Sequence, residues 1–481
     1  MPHGMGTVRS IAKNIGAFTI AKLITMSLGF ILVVLLARYL GDVNFGKFSF
    51  AQTFTEFMIV FADIGLTTLS IREIARRKEL TPVYLGNVFV IKLILSGITY
   101  GLIILIINIL GYPQDTISVA IILGASAIIS SFSAFMRSIF RAFERLEYEA
   151  GLNIVKSVFI SSFGILVLLM GYGMVEVAYI YLLGAAFDFI LALILVTRRF
   201  SKPDFRLDFG FWKESIGKAL PFSVTILFGI IYLQIDIVML SILSGDASVG
   251  WYRASFILLY SLVFIPEVFS YAIFPVMSRL FISSKALLVK LLERSMKYLF
   301  MIGLPITILV FSFSYWIIPF LYGHDYAPSI MILQILSLYL PLRFMNHATG
   351  YTLSSIDRQS RRAVSAVVAG VFNVSLNLLL IPIYNADGAA IATVVTEVIL
   401  FMMYYIFVAS HFHRVRLSSI VLKPLVASLP MLLMIYILQG MSPLILAPIS
   451  VVIYIVVLLS IRGIDEEDRR IFREIVQRQG G

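Results

Sequence analysis

Along the chain, apolar runs of about 20 residues or more alternate with short polar strips, and each run is long enough to cross a ~30 Å hydrocarbon layer as a helix. The pattern predicts fourteen membrane-spanning helices, at 14–40, 44–70, 84–110, 116–140, 150–171, 175–197, 215–243, 248–278, 295–318, 327–353, 363–382, 388–410, 420–438 and 443–461. Turn signals separate them, among them Gly41-Asp42, Gly111-Tyr112-Pro113 and Gly440-Met441-Ser442-Pro443. The start, Met1 to Lys13, is short and basic, and the apolar run after it is too long for a signal-peptide core, so it is read as the first membrane helix. The expected fold class is an all-α membrane protein.

Composition agrees. Of the 481 residues 60% are hydrophobic and 14% charged, against about 25% charged in a soluble domain. Lys and Arg are distributed by side. Thirty of the 38 fall on the side that holds the N-terminus, only Arg38 and Lys47 fall on the other, and Lys22, Lys92, Lys156, Lys218, Arg253 and Arg343 lie within spans. This is the positive-inside pattern and puts both termini in the cytoplasm of a multi-pass protein in the cell membrane. It also accounts for the net charge of +11 without a nucleic-acid partner. The absence of cysteine excludes disulfides, thiolate catalysis and cysteine-ligated metals. The five histidines (His3, His324, His347, His411, His413) show no metal-ligand spacing within one span.

The chain divides as six spans, a cytoplasmic linker, six spans and two: 1–200, 201–214, 215–410 and 411–461, with a cytoplasmic tail over 462–481. The first two blocks of six echo each other. Gly41-Asp42-x-x-x-Gly46 joins spans one and two, and Gly245-Asp246-x-x-x-Gly250 joins spans seven and eight, 204 residues on; the same offset pairs Phe48 with Tyr252 and Asp63 with Glu267. Both copies lie on the same side, so the repeat is parallel, an arrangement transporters use with the substrate path between the halves.

Ala37 to Phe48 (ARYLGDVNFGKF), Ala62 to Leu66 (ADIGL) and Ile71 to Ala75 (IREIA) resemble the opening of the polysaccharide biosynthesis, or oligosaccharide flippase, family. Asn377 to Tyr384 (NLLLIPIY) and Gly388 to Thr393 (GAAIAT) resemble its signature around the eleventh and twelfth helices. The resemblance implies the fold of multidrug-and-toxin exporters and lipid II flippases: two six-helix lobes in a V around a central cavity, with the last two helices adding a lipid-facing groove. It implies a flippase that carries a polyprenyl phosphate or diphosphate oligosaccharide across the bilayer by alternating access, among membrane lipids and beside glycan-assembly enzymes, and no enzyme activity.

An ionisable group at the centre of a membrane helix costs at least ~2.5–3.5 kcal/mol on insertion scales, so each needs a reason. In the family, spans one, two, seven and eight line the cavity, and each carries one polar stripe here: Lys22, Thr25 and Gly29; Ser49, Gln52, Glu56 and Asp63; Thr225, Gly229, Tyr232 and Asp236; Arg253, Phe256, Tyr260, Glu267 and Tyr271. The substrate-binding residues expected from these stripes are Lys22 and Arg253 for the anionic head group, Gln52, Tyr232 and Tyr260 for sugar rings, and the acids Glu56, Asp63 and Glu267. The alternative is interhelical pairing, Lys22 with Glu56, or Arg253 with Glu267 or Asp63. Lys92 and Lys156 are read as structural or snorkelling, and Arg343, His347, Gly350 and Ser354 as a structural network.

The Walker pattern is absent, so an ion gradient is the expected energy source. The sodium site of lipid II flippases, carried over by resemblance, falls on Asp236, Asn373, Asn377, the Ala389 carbonyl and Thr393; Asn377 stands where those relatives have a second acid. Oxygen donors suit such a hard cation. Proton coupling through Asp236, Glu397 or Asp63, or no coupling, are the alternatives, and no other cofactor is expected. Two competing functions are a multidrug exporter of the same fold and a membrane glycosyltransferase or polymerase. The short outer loops and the lack of an Asp-x-Asp motif argue against the latter.

Overall fold

The computed structural model describes residues 3–463, with side chains from Ala21 onward. The tail basic residues Arg469, Arg470, Arg473 and Arg478, and the side chains of Arg9 and Lys13, lie outside the described residues. Among the described residues every regular element is helical: α1 (His3–Asp63), α2 (Leu66–Arg76), α3 (Thr81–Ile109), α4 (Gln114–Ala142), α5 (Leu146–Leu169), α6 (Met174–Arg199), α7 (Phe209–Leu243), α8 (Asp246–Leu262), α9 (Phe264–Ser283), α10 (Lys285–Tyr322), α11 (Ser329–Ser337), α12 (Leu340–Ser355), α13 (Gln359–His411), α14 (Leu417–Ile437) and α15 (Pro443–Ser460), with two short 3-10 turns.

Eleven stretches are long and apolar enough to cross a membrane, and α11 with α12, bent by 41°, make a twelfth. Two of the eleven are too long for one crossing. Ala21–Asp63 has 43 residues and Gln359–His411 has 53, or about 65 and 80 Å of helix. Each contains one residue outside helical geometry, Gly41 (φ 75°) and Asn385 (φ 50°). Counted as two crossings each, they bring the spans to the fourteen expected, and the chain is a multi-pass membrane protein.

Three expected spans stop early or break, each for a backbone reason. The second, expected to run to 70, stops at Asp63, because Ile64 (φ 41°) and Gly65 (φ 80°) turn the chain before α2. The eighth breaks at Val263 into α8 and α9; Pro266 has no N–H to return to the Leu262 carbonyl. The tenth breaks between Ser337 and Leu340, because Pro341 cannot bond to the Ser337 carbonyl. That carbonyl is satisfied instead by the Thr307 hydroxyl at 3.2 Å.

The chain forms two compact units. The first comprises residues 1–257, 321–325 and 374–389. Its core is Leu66, Leu69, Val88, Phe135, Ile139, Phe140 and Val196 with their neighbours from α2, α3, α4 and α6. The stretch 201–208 crosses the start of α3 as an extended strap: the Asn87 amide donates to the Arg206 carbonyl at 3.0 Å, and its oxygen accepts from Asp208 N at 3.0 Å and Trp212 Nε1 at 2.9 Å. Asp208 then caps α7 by accepting from Phe211 N at 3.1 Å, so that helix begins earlier than the expected 215.

The sequence repeat is a physical contact within this unit. Gly41 and Gly245 both take positive φ, 75° and 92°, a conformation that glycine adopts without a Cβ penalty. A Cβ on Gly46 would overlap the Asp246 carbonyl, and a Cβ on Gly250 would overlap the Asp42 carbonyl. Each copy therefore presses its second glycine onto the backbone of the other copy's aspartate, the reciprocity expected of a two-fold relation. Trp251 Nε1 donates to Asp42 at 2.8 Å beside it, and the offset partners Phe48 and Tyr252 are both buried.

The second unit comprises 258–320, 326–373 and 390–481. Part of its core is a cluster of α10, α14 and α15: Met301, Ile308, Phe313, Ala427, Met431, Leu446, Tyr454 and Leu458.

Candidate functional site

The second half of α1, with α2, α4, α5, α6 and α7, encloses a cavity of about 530 Å³ inside the first unit. Apolar side chains such as Ile59, Leu123, Ile226 and Ile230 make up much of its wall, and polar groups are set among them. Glu56 is held at both oxygens by amides: Gln52 donates to Oε1 at 3.2 Å and Gln234 to Oε2 at 2.7 Å, while the Gln234 oxygen accepts from Thr53 at 3.3 Å. A carboxylate fixed by two amides offers sites for hydroxyl donors in a known orientation. Thr55, Thr67, Thr68, Ser126, Ser130 and Ser131 add hydroxyls, and Tyr181 adds a ring. Phe48 packs edge-on against that ring with centroids 5.7 Å apart.

Two buried charge clusters border the cavity. Lys92, with no exposed surface, pairs with Asp63 and donates to Ser131 at 2.7 Å, while Asp63 also accepts from the Thr67 hydroxyl at 2.5 Å. Asp188, equally enclosed, is approached by Arg137 Nη1 at 2.9 and 3.2 Å and by the Ser133 hydroxyl at 2.6 Å. Lys156 Nζ bonds to Ser130 Oγ at 3.0 Å, stands 3.8 Å from Asp188 and lines the cavity.

The cavity gathers three of the expected substrate residues, Gln52, Glu56 and Asp63. Arg253 belongs to the same unit. Lys22 is half-buried on α1, with its carbonyl accepting from Thr25 at 3.0 Å, and Tyr232 is half-buried on α7; neither is among the lining residues. Tyr260, 46% exposed, and Glu267 belong to the second unit. There Glu397 accepts from the Asn346 amide at 2.6 Å and lies 3.5 Å from Arg343.

Sequence reasoning missed Gln234, Tyr181 and the Ser126–Ser130 face, and it set Lys156 aside. A signal existed in α4, where Ser126, Ser130 and Ala134 recur at four-residue spacing in an apolar span, so small polar groups share one face.

Of the expected cation ligands, Asp236, Asn377 and Ala389 fall in the first unit, Asn373 and Thr393 in the second. Asp236 is buried and accepts from the Asn377 amide at 2.5 Å and the Tyr252 hydroxyl at 2.8 Å. The donor set fits a hard cation in type, since every group offers oxygen, with the Asn377 amide rotated to present Oδ1. In the second unit, an apolar groove of about 400 Å³ runs between α10 and α15, lined by Met301, Pro305, Leu309, Val451, Tyr454 and Leu458. The Tyr454 hydroxyl is tied to the Met301 carbonyl at 3.0 Å, which leaves this groove without a free polar group from that ring.

Solved structures share this fold. The lipid II flippase MurJ in an inward closed conformation matches with a TM-score of 0.77 at 19% identity, over 93% of this chain and 99% of that one. An inward-facing multidrug resistance MATE family transporter matches with a TM-score of 0.66 at 17% identity, over 81% of this chain and 94% of that one. In sequence, the probable low-salt glycan biosynthesis flippase Agl15 of Haloferax volcanii is 22% identical over 388 residues, 80% of each chain. Residues 11–281 match the polysaccharide biosynthesis protein family, and the chain belongs to it.

Proposed function

We propose that the protein is a flippase for a lipid-linked oligosaccharide in the cell membrane, with both termini in the cytoplasm, working by alternating access and without catalysing a covalent step. The observation that carries this reading is the cavity around Glu56: a carboxylate oriented by Gln52 and Gln234 and ringed by hydroxyls is a surface for sugar hydroxyls, set among spans that belong to a glycan-related family. A lipophilic drug cation needs charge and aromatic area but no such array of oriented amides. The likeness to the glycan flippase Agl15 supports the same substrate class.

The roles divide by chemistry. Glu56, Gln52 and Gln234 hold sugar hydroxyls, and Tyr181 gives a ring face. Arg253 and Lys22 meet the negative head group, and the groove beside Tyr454 takes part of the lipid tail, where each buried CH₂ contributes ~0.8 kcal/mol. Sodium, held in the first unit by Asp236, Asn377 and the Ala389 carbonyl, couples the cycle to an ion gradient. Bound there, it would supply a positive charge beside the Asp236 carboxylate.

The test is translocation by the purified full chain in proteoliposomes, with a fluorescent isoprenyl diphosphate carrying N-acetylglucosamine set against ethidium. The glycolipid should cross and ethidium should not. Glu56→Ala should slow the glycolipid by about tenfold to a hundredfold, the worth of one or two charge-assisted hydrogen bonds. Transport of ethidium alone would replace the flippase reading with that of a multidrug exporter.

A further inference from the structure

The two lysines of the cavity wall are balanced differently. Lys92 faces one carboxylate, Asp63, which has no second cation, so the pair is neutral. Lys156 faces a carboxylate that Arg137 already holds: Nη1 lies 2.9 and 3.2 Å from the two Asp188 oxygens, against 3.8 Å for Lys156 Nζ. Asp188 Oδ2 also accepts from Ser133 at 2.6 Å, and Arg137 is steadied by Asn153 at 3.1 Å. Two cations thus share one negative charge. Glu56, a further carboxylate of the cavity, keeps its charge under the Gln52 and Gln234 amides but makes no ion pair with Lys156 among the described residues.

An ammonium has three donors. Lys156 gives one to Ser130 at 3.0 Å and still lines the open cavity, its side chain 21% exposed. Its helix begins at Leu146 and ends at Leu169, which puts the charge about 15 Å inside by helical rise. A surplus cation at that depth is retained where it lines a water-filled path or meets a ligand.

We infer that Lys156, with the Ser130 and Ser131 hydroxyls beside it, is an anion-binding subsite of this cavity, taking an anionic oxygen group of the transported glycolipid. The cavity is then bipolar, with Lys156 for the anion and the Glu56–Gln52–Gln234 end for neutral hydroxyls. The inference rests on the flippase reading. Its ligand chemistry is shared by a carrier phosphate and a sugar carboxylate.

Three probes separate the possibilities when titrated against the purified full chain in detergent: an isoprenyl diphosphate of N-acetylglucosamine, an isoprenyl ether of glucuronic acid, and an isoprenyl ether of N-acetylglucosamine. Lys156→Met should weaken at least one charged probe by about tenfold or more, the scale of a lost charge-assisted hydrogen bond, and leave the neutral ether unchanged. Lys156→Arg should restore most of the loss. Which charged probe loses affinity tells phosphate from carboxylate.

Melting guards against a purely structural role: Lys156→Met should melt no lower than wild type because it removes an unbalanced charge, whereas Arg137→Met should melt lower. An equal loss across all three probes, unchanged binding of both charged ones, or a fall in melting temperature matching that of Arg137→Met overturns the inference. If wild type binds the probes and Lys156→Met binds them equally well, the flippase reading survives alone. If wild type binds none, both fall.

Discussion

Asp63 and Lys92 are a matched pair in which the two partners are not equally hidden: the lysine side chain has no exposed surface, and the aspartate keeps 19% at the cavity wall. Breaking a buried pair costs about 3–5 kcal/mol because the survivor is left uncompensated. The survivors here have different refuges. Without Lys92, Asp63 still accepts from the Thr67 hydroxyl and backbone and reaches the cavity; without Asp63, Lys92 keeps only Ser131 and the Phe132 ring. Asp63→Asn should therefore lower the melting temperature in detergent more than Lys92→Met, and the double variant should recover much of the loss. Equal effects, or the reverse order, would show that the pair is not the unit that matters. This also bears on the proposed function, since an aspartate engaged by Lys92 contributes to the cavity mainly by shape, leaving Glu56 as the carboxylate of the proposed sugar site.

Among elements, the contact between the two Gly-Asp-x-x-x-Gly copies fixes how the start of α8 meets the second half of α1. Either glycine enlarged must push a backbone carbonyl, and backbone yields less readily than a side chain. Gly46→Val should cost about 1–3 kcal/mol or more as overpacking, as should Gly250→Val. The two together should cost less than the sum, because one displacement relieves both overlaps. Gly97→Val on α3, where a Cβ meets open space, is the control and should melt near wild type. Additive losses would mean that the two contacts are independent. The motif was visible in the sequence as six residues repeated at a fixed offset. That its copies touch was not, because spacing along a chain does not say which helices become neighbours. The fourteen spans were legible because hydrocarbon thickness imposes a length. The breaks at Val263 and Ser337 were legible only through Pro266 and Pro341, each four residues beyond the carbonyl it cannot bond.

For the whole molecule, the site divided between what periodicity reveals and what tertiary packing decides. Gln52, Glu56 and Asp63 share one helical face and reached the cavity together, whereas Tyr181 and Lys156 come from spans on which no stripe was read, and Gln234 lies off the stripe of its own span. The energy source belongs to this scale as well. Carrying one charge through 100 mV is worth ~2.3 kcal/mol, so a cation entering with each cycle would give transport a direction. Asp236 is the acid proposed to hold that cation: it is buried and bonded to the Asn377 amide and the Tyr252 hydroxyl, two neutral donors that a bound cation would displace or reorient. If sodium binds there, adding it to the purified chain should raise the melting temperature in proportion to the logarithm of its concentration, as a ligand of the folded state must, and an inward sodium gradient should speed flipping. Potassium at equal ionic strength should do neither. Asp236→Asn keeps the shape but removes the charge, so it should melt at least as high as the sodium-free wild type while losing both responses. A sodium response undiminished in Asp236→Asn would move the coupling site elsewhere; a wild type indifferent to sodium but driven by a pH gradient would give the same carboxylate to the proton.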